Sequence, residues 1–168
     1  MNVYEGIQKR RSIRKFEERP VEKEKIEKLL RAAMQAPSAG NQQPWEFLVI
    51  EEKETLRKLA KAHIYAGPIH NAPLGIIVLA NEQNLKYKQY CQQDLAAATE
   101  NILLAAVELG LGTVWMGITP EEDRMAFIKE LFQLPPGVEA FAMLAIGYSS
   151  ANKFEDRFDS NRVHYEKY

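Results

Sequence analysis

The chain predicts a sandwich of the α/β or α+β class, with helices laid on a central sheet. Three observations carry that expectation. Four apolar segments of strand length, 45–50, 74–80, 112–118 and 138–148, alternate with helical segments. One of them, LGIIVLA at 74–80, is apolar without interruption, as a strand covered on both faces would be. No repeat, low-complexity stretch or Gly/Ser linker divides the 168 residues, so one domain spanning 1–168 is expected. A domain of this length buries roughly 70% of the surface its unfolded chain exposes, enough for a core without disulfides or metals.

Taken in order, residues 3–11 predict a short helix, with Val3 and Ile7 four apart. In VEKEKIEKLLRAAMQA, after Pro20, Ile26, Leu29, Leu30, Ala33 and Met34 mark one helical face, and Pro37 stops the helix. PSAGNQQP is a loop by composition, and WEFLVI at 45–50 is a strand of aromatic and β-branched residues. Leu56, Leu59 and Ala60 restore helical spacing over 52–62. From Tyr90 to Gly110 runs a helix that is apolar at six consecutive positions, Ile102 to Val107. Such a helix must bury more than one face, which points part of it toward a subunit interface. After the strand GTVWMGI, Thr119, Pro120 and Glu122 fit an N-cap, an N1 proline and an N3 glutamate for a helix to about Leu134. VEAFAMLAIGY is the last strand. Residues 149–168 carry no periodic core face, yet hold Phe154, Phe158, Val163, Tyr165 and Tyr168, so the tail either frays or finds its burial on another chain, and the cost of leaving these residues in water favours the second.

Composition narrows the function. With 22 Lys+Arg against 23 Asp+Glu, 27% charged and 46% hydrophobic residues, the chain is an ordinary globular protein, neither disordered nor collagenous. Balanced charge argues against bulk attraction to nucleic acid or an anionic membrane. Cys91 is the single cysteine, so no internal disulfide framework and no multi-Cys zinc site is expected. His63, His70 and His164 lack metal-ligand spacing, so no metal is expected either. The longest apolar run, about eight residues, falls short of the ~18 a membrane span needs, and MNVYEGIQKRRS has charges where a leader needs apolar residues. A cytoplasmic protein is the expectation.

Three segments could carry chemistry. Lys9, Arg10, Arg11, Arg14 and Lys15 put five cations in seven residues around Ser12. Alone this is first a solvated charged face. Arginine forks beside a hydroxyl also suit a phosphate dianion, while nucleic-acid binding lacks a flanking aromatic platform. The amides of PSAGNQQPW could meet the donor and acceptor edge of a flat heterocycle, or simply cap a turn. Gly110, Gly112 and Gly117 bracket TVWM, where backbone could approach a ligand closely, although Gly110 also suits a helix C-cap. No GxGxxG or P-loop pattern is present, no catalytic triad can be chosen, and Cys91 fits a helix-face residue.

Together, RRSIRKF, APSAGNQQPWEF, ENILLAAVELGLGTVWMGI, AIGY and EDRFDSNRVHYEKY resemble, in that order and spacing, the nitroreductase family of FMN-dependent oxidoreductases. The resemblance covers nearly the whole chain. It implies a nitroreductase-like α+β fold, a sheet of four to five strands flanked by helices, with the C-terminal tail exchanged in a homodimer. It also implies FMN as cofactor, NADH or NADPH as co-substrate, and a small flat acceptor such as a nitroaromatic or quinone, reduced by a ping-pong mechanism. By the same resemblance Arg10 and Ser12 hold the FMN phosphate and Arg157 closes on it. Arg14 reaches the ribityl chain and pyrimidine edge, where a cation favours negative charge on the reduced ring. Arg11 belongs to the same cofactor set, its direction left open between the phosphate, the partner and solvent. Pro37, Ser38 and Asn41 come from the other subunit, and the backbone of Trp115, Met116 and Gly117 approaches flavin N5. No catalytic side chain is required, since the protein supplies position and electrostatics. The sequence departs from the family where an amide is expected before the second strand: Tyr65 or Gly67 stands there, with His70 and Asn71 as possible substitutes. Alternatives are a non-catalytic flavin-binding protein, or a flavin-dependent reductive dehalogenase or dehydrogenase of the same family.

Overall fold

The structure is a computed structural model and describes residues 1–83, 85–150 and 156–168. Its helices are α1 (Val3–Lys9), α2 (Lys23–Met34), α3 (Lys53–Leu59), α4 (Cys91–Glu108) and α5 (Glu122–Phe132). Its strands are β1 (Trp45–Ile50), β2 (Leu74–Asn81), β3 (Gly112–Gly117) and β4 (Val138–Gly147). The strands form one sheet in the order β1-β2-β4-β3, with all three pairings antiparallel. The class is therefore α+β, with four strands among the described residues.

Strand alternation assigns each side chain to a layer. Leu74, Ile76 and Val78 of β2 meet Ile26 and Leu29 of α2 and Leu95, Ile102 and Leu103 of α4 on one face. Ile77 and Leu79 meet Leu56 and Leu59 of α3 and Ile128 of α5 on the other. With both faces covered, β2 is buried from Leu74 to Ala80, as its uninterrupted apolar run predicts. Each large aliphatic side chain so buried stabilises the fold by roughly 1.5–3 kcal/mol.

One irregularity positions the site. Val78 pairs with Ala142 and Leu79 with Ala140, so Phe141 is an extra residue, a β-bulge. Its carbonyl accepts from the N–H groups of both Ile118 (3.2 Å) and Thr119 (3.0 Å), which fixes how the chain leaves β3.

One expectation is corrected. Thr119 does not cap α5: its Oγ1 donates to the Ala140 carbonyl at 2.7 Å, so the helix starts at Glu122 with Glu121 in the cap position and no side-chain cap. α4 packs against the sheet, α1 and α2, which buries Ile102, Leu103 and Ala106 of its apolar run and leaves Leu104, Ala105 and Val107 half-buried. Exposed large apolar side chains include Val3, Tyr4 and Ile7 on α1, Met34, Ile64 and Tyr65, and Phe158, Val163, Tyr165 and Tyr168 in the tail. Phe154 lies outside the described residues.

Candidate functional site

β3 is an edge strand, and residues 10–14 run beside it. The segment leaves α1 at Arg10 and forms a single parallel bridge, Ser12 to Thr113, in which the Ile13 N–H donates to the Thr113 carbonyl at 2.8 Å. Gly112 is what permits this approach: a Cβ there would lie 2.8 Å from Ile13 Cγ2. The close neighbour of Gly112 is therefore the chain itself. Gly110, at φ +72°, is the helix-ending glycine its position after α4 predicts.

The cationic segment divides between two clefts. Arg11 lines a cleft of about 300 Å³ with Lys9, Gly110, Ser149 and Ser150. Its Nη1 donates to the Arg10 carbonyl at 2.5 Å. Arg14 lines a second, of about 460 Å³, with His63, Tyr65, Gly67, Trp115, Met116, Gly117 and Arg124. Arg10 turns toward α4, where its Nε is 3.5 Å from Glu100 Oε1. Burial pushes the Glu100 carboxyl above its usual range, and the Arg10 charge opposes that rise.

In the larger cleft β3 offers backbone. Thr113 turns its carbonyl to the 10–14 segment, so alternation turns the backbone groups of Trp115 and Gly117 to the same outer edge. The Gly117 carbonyl accepts from Arg124 Nη1 at 2.9 Å, and a Cβ at Gly117 would meet nothing within 4 Å. The side chains are held elsewhere: Met116 is buried, and the Trp115 ring packs edge-on against Phe141 at 5.7 Å. His63 accepts the Tyr65 N–H on Nδ1 at 3.2 Å, which leaves its proton on Nε2. Burial, then the nearby Arg124, pushes the imidazole below its ordinary pKa against the opposing Asp123, so it is neutral near pH 7. Its Nε2 is buried without a hydrogen-bond partner among the described residues.

The loop PSAGNQQP lies elsewhere. It feeds β1, at the opposite edge from β3, three strand spacings or ~14 Å across the sheet. Asp94 of α4 accepts from the Ala39 N–H (2.9 Å) and from Gln42 Nε2 (2.7 Å). Ser38 Oγ accepts the Gln43 N–H, and Asn41 Oδ1 accepts from Gln43 Nε2. Gly40, Asn41 and Gln43 all have positive φ. Pro37, Ser38 and Asn41 line neither cleft, and neither does Arg157, which is exposed in the tail. Of the residues offered for the missing amide, Tyr65 and Gly67 line the larger cleft, while His70 and Asn71 are exposed and pair with each other at 2.7 Å.

Sequence reasoning missed Asp94, Glu100 and Arg124. Asp94 left a trace, an acid in the first turn of α4 directly before the apolar run Leu95 to Ala98. Arg124 left none within the charged run EEDR. Among the described residues no group of three or more His, Cys, Asp or Glu could hold a metal, and no helix is long and apolar enough to cross a membrane. Burial pushes the Cys91 thiol up to about 11, which leaves it unreactive at neutral pH.

Comparison with known proteins decides the family. The nitroreductase family model matches residues 7–91 and 61–148, two overlapping stretches that together span most of the chain. The chain belongs to the nitroreductase family. A relative in Archaeoglobus fulgidus, provisionally named an NADH dehydrogenase/NAD(P)H nitroreductase, is 44% identical over 96% of this chain and 96% of its own. A crystal structure from Clostridium acetobutylicum, provisionally named an NADH oxidase, superposes with a TM-score of 0.95 at 52% identity, covering 97% of this chain and 99% of that one. A provisionally named nitroreductase from Desulfovibrio desulfuricans, solved in complex with FMN, has a TM-score of 0.85 at 29% identity, covering 99% and 97%. In this nitroreductase-family chain the larger cleft joins Arg14 to the β3 edge, while Arg11 lines the smaller one.

Proposed function

We propose that the chain is an FMN-dependent oxidoreductase that takes electrons from NADH or NADPH and passes them to a small flat acceptor, a nitroaromatic or a quinone, in a ping-pong cycle. The observation that carries this reading is the larger cleft: an open strand edge from Trp115 to Gly117 beside Arg14, with no carboxylate among its described lining residues. That donor set fits the ring of FMN, and the single cationic segment fits one terminal phosphate, with Arg10 and Ser12 holding it, Arg11 beside them and Arg157 closing from the tail. FMN, when bound, accepts a hydride at N5 and hands electrons on. Arg14 would place positive charge at the pyrimidine edge, where the reaction builds negative charge. The outward N–H groups of Trp115 and Gly117 would orient the ring without a side-chain acid or base. Tyr65 or Gly67 then takes the place of the family's amide.

Pro37, Ser38 and Asn41 are too far across the sheet to complete that site in their own chain. We therefore assign them to the partner's site in a homodimer, whose contact would cover Val3, Tyr4 and Ile7 and the tail. A cytoplasmic setting suits the single reduced thiol. The test is direct. Purified protein should be yellow, release FMN and not FAD on heating, as identified by mass, and sediment as a dimer. Stoichiometric FAD, or a monomer with full FMN occupancy, would refute the cofactor or the shared site respectively. Steady NAD(P)H oxidation with a quinone separates the enzyme from a non-catalytic flavin binder.

A further inference from the structure

We propose that Arg124 is a specificity-determining residue of the larger cleft, selecting an anionic group on the planar molecule that shares the cleft with the cofactor. The inference rests on the reading above. Two guanidinium groups, Arg14 and Arg124, line one cleft of about 460 Å³, and the described lining contributes no carboxylate. A flavin edge would engage Arg14, which leaves Arg124 as the cation facing whatever binds next.

Arg124 is anchored for that task. Its Nη1 donates to the Gly117 carbonyl at 2.9 Å, at the end of the strand edge assigned to the flavin, and it stands on the first turn of α5. A guanidinium has five N–H donors in a fixed fork, so one bond to a carbonyl leaves a face for a carboxylate or phosphate. Among the described residues Arg124 makes no ion pair, although Glu121, Glu122 and Asp123 precede it in sequence; none of these acids lines the cleft. His63 adds a second signal: its Nε2 carries a proton, is buried, and has no partner among the described residues.

The anion has two sources, a carboxylate on an aromatic acceptor or the additional phosphate that separates NADPH from NADH. The experiment compares flavin-loaded wild type with Arg124→Gln and Arg124→Lys. Calorimetric titration with benzoate and benzamide gives a ratio of dissociation constants without turnover. Reduction rates with 4-nitrobenzoate against 4-nitrobenzamide, and with NADPH against NADH, give two further ratios. We expect Arg124→Gln to lower the preference for the anionic member at least tenfold in the benzoate and nitrobenzoate pairs, or in the dinucleotide pair, with Arg124→Lys recovering part of it. Anionic and neutral members falling together would reduce Arg124 to a tether for Gly117 and overturn the inference. Unchanged ratios in every pair would also overturn it. A protein that binds no FMN sinks the functional reading itself, whereas a yellow, active protein with unaltered ratios sinks only this inference.

Discussion

At the β1 edge the loop PSAGNQQP closes on its own chain: its backbone and amide groups end on Asp94, Tyr87 and Ser38. At the β3 edge residues 10–14 touch the sheet through one bridge and then leave, so from Trp115 to Gly117 the outer edge of the strand has no strand partner among the described residues. Both segments are polar and adjoin a strand of the same sheet. The difference teaches that a polar segment is open to a ligand according to how much of its hydrogen bonding the fold has already satisfied. The β1 loop holds three residues at positive φ, a conformation two of them, Asn41 and Gln43, adopt without being glycine. Such backbone persists only where its surroundings over-determine it: Ser38 accepts the Asn41 N–H on its carbonyl and the Gln43 N–H on its hydroxyl, and Asp94 holds the flanking Ala39 and Gln42.

The largest effect should come from breaking the closed edge. Asp94 is buried and accepts two hydrogen bonds that hold the loop. Hydrogen bonds to a carboxylate contribute ~1.5–3 kcal/mol each, so Asp94→Ala should cost about 3 kcal/mol or more in urea unfolding. A loss below 1 kcal/mol would mean that the loop holds its shape without α4. If the loop serves the partner's site, the surviving protein should also bind FMN less well in proportion to its dimer fraction.

At the open edge the expected losses are in binding more than in folding. Arg14→Ala removes an exposed cation and no core contact, so stability should stay within about 0.5 kcal/mol. FMN affinity should fall roughly 10- to 150-fold, the value of one charge-assisted hydrogen bond. Titration of apo-protein measures it, and unchanged affinity would remove Arg14 from the site. Gly112→Ala acts one step back: the new methyl meets Ile13 at 2.8 Å and must push the 10–14 segment off β3. A smaller loss of FMN affinity than for Arg14→Ala is expected, together with faster exchange of the Ile13 N–H. Slow exchange at Ile13 in that variant would show that the segment is held by something other than its bridge.

How much of this was legible in the sequence follows the same division. The four strands and the cover on β2 were readable because burial writes itself as apolar runs such as LGIIVLA. The helix-ending Gly110 was readable from its place after α4. The cap at Thr119 was misread because a hydroxyl has only one local use in sequence, whereas the bulge at Phe141 brings the Ala140 carbonyl within its reach. The apolar run of α4 was legible as multi-sided burial, but sequence does not say that α1 and α2 supply part of that cover. The cleft residues Arg14 and Trp115 to Gly117 came from the family resemblance, not from periodicity. Arg124 was invisible because its partner is a backbone carbonyl seven residues away, which no side-chain pattern encodes.

The smallest expected effect concerns the root of the open segment. Three residues beyond Arg14 the Glu17 N–H donates to the Tyr148 carbonyl at 2.9 Å, and the Tyr148 hydroxyl ties the same region to α2. That hydroxyl donates to Glu22 at 2.5 Å and accepts from Lys25 Nζ at 2.7 Å, while the Arg19 guanidinium lies 3.8 Å from the ring centroid. The Tyr148 hydrogen bond is the largest cause that lowers the Glu22 carboxyl from 4.5 to about 2. A carboxyl whose pKa is depressed by folding contributes its stability above its unfolded value and loses it as pH falls through the folded one. The window is therefore about pH 4.5 down to about 2, and neutral pH lies outside it. Tyr148→Phe should return the Glu22 midpoint toward 4.5 by carboxyl NMR titration, and should flatten the acid limb of stability within that window. The Glu17 N–H should exchange faster than in wild type if the clamp steadies the 10–16 segment. A midpoint that stays near 2 in the variant would assign the depression to Arg19, Lys25 and the Glu22 backbone instead, and would leave the open edge anchored by its single bridge at Ser12.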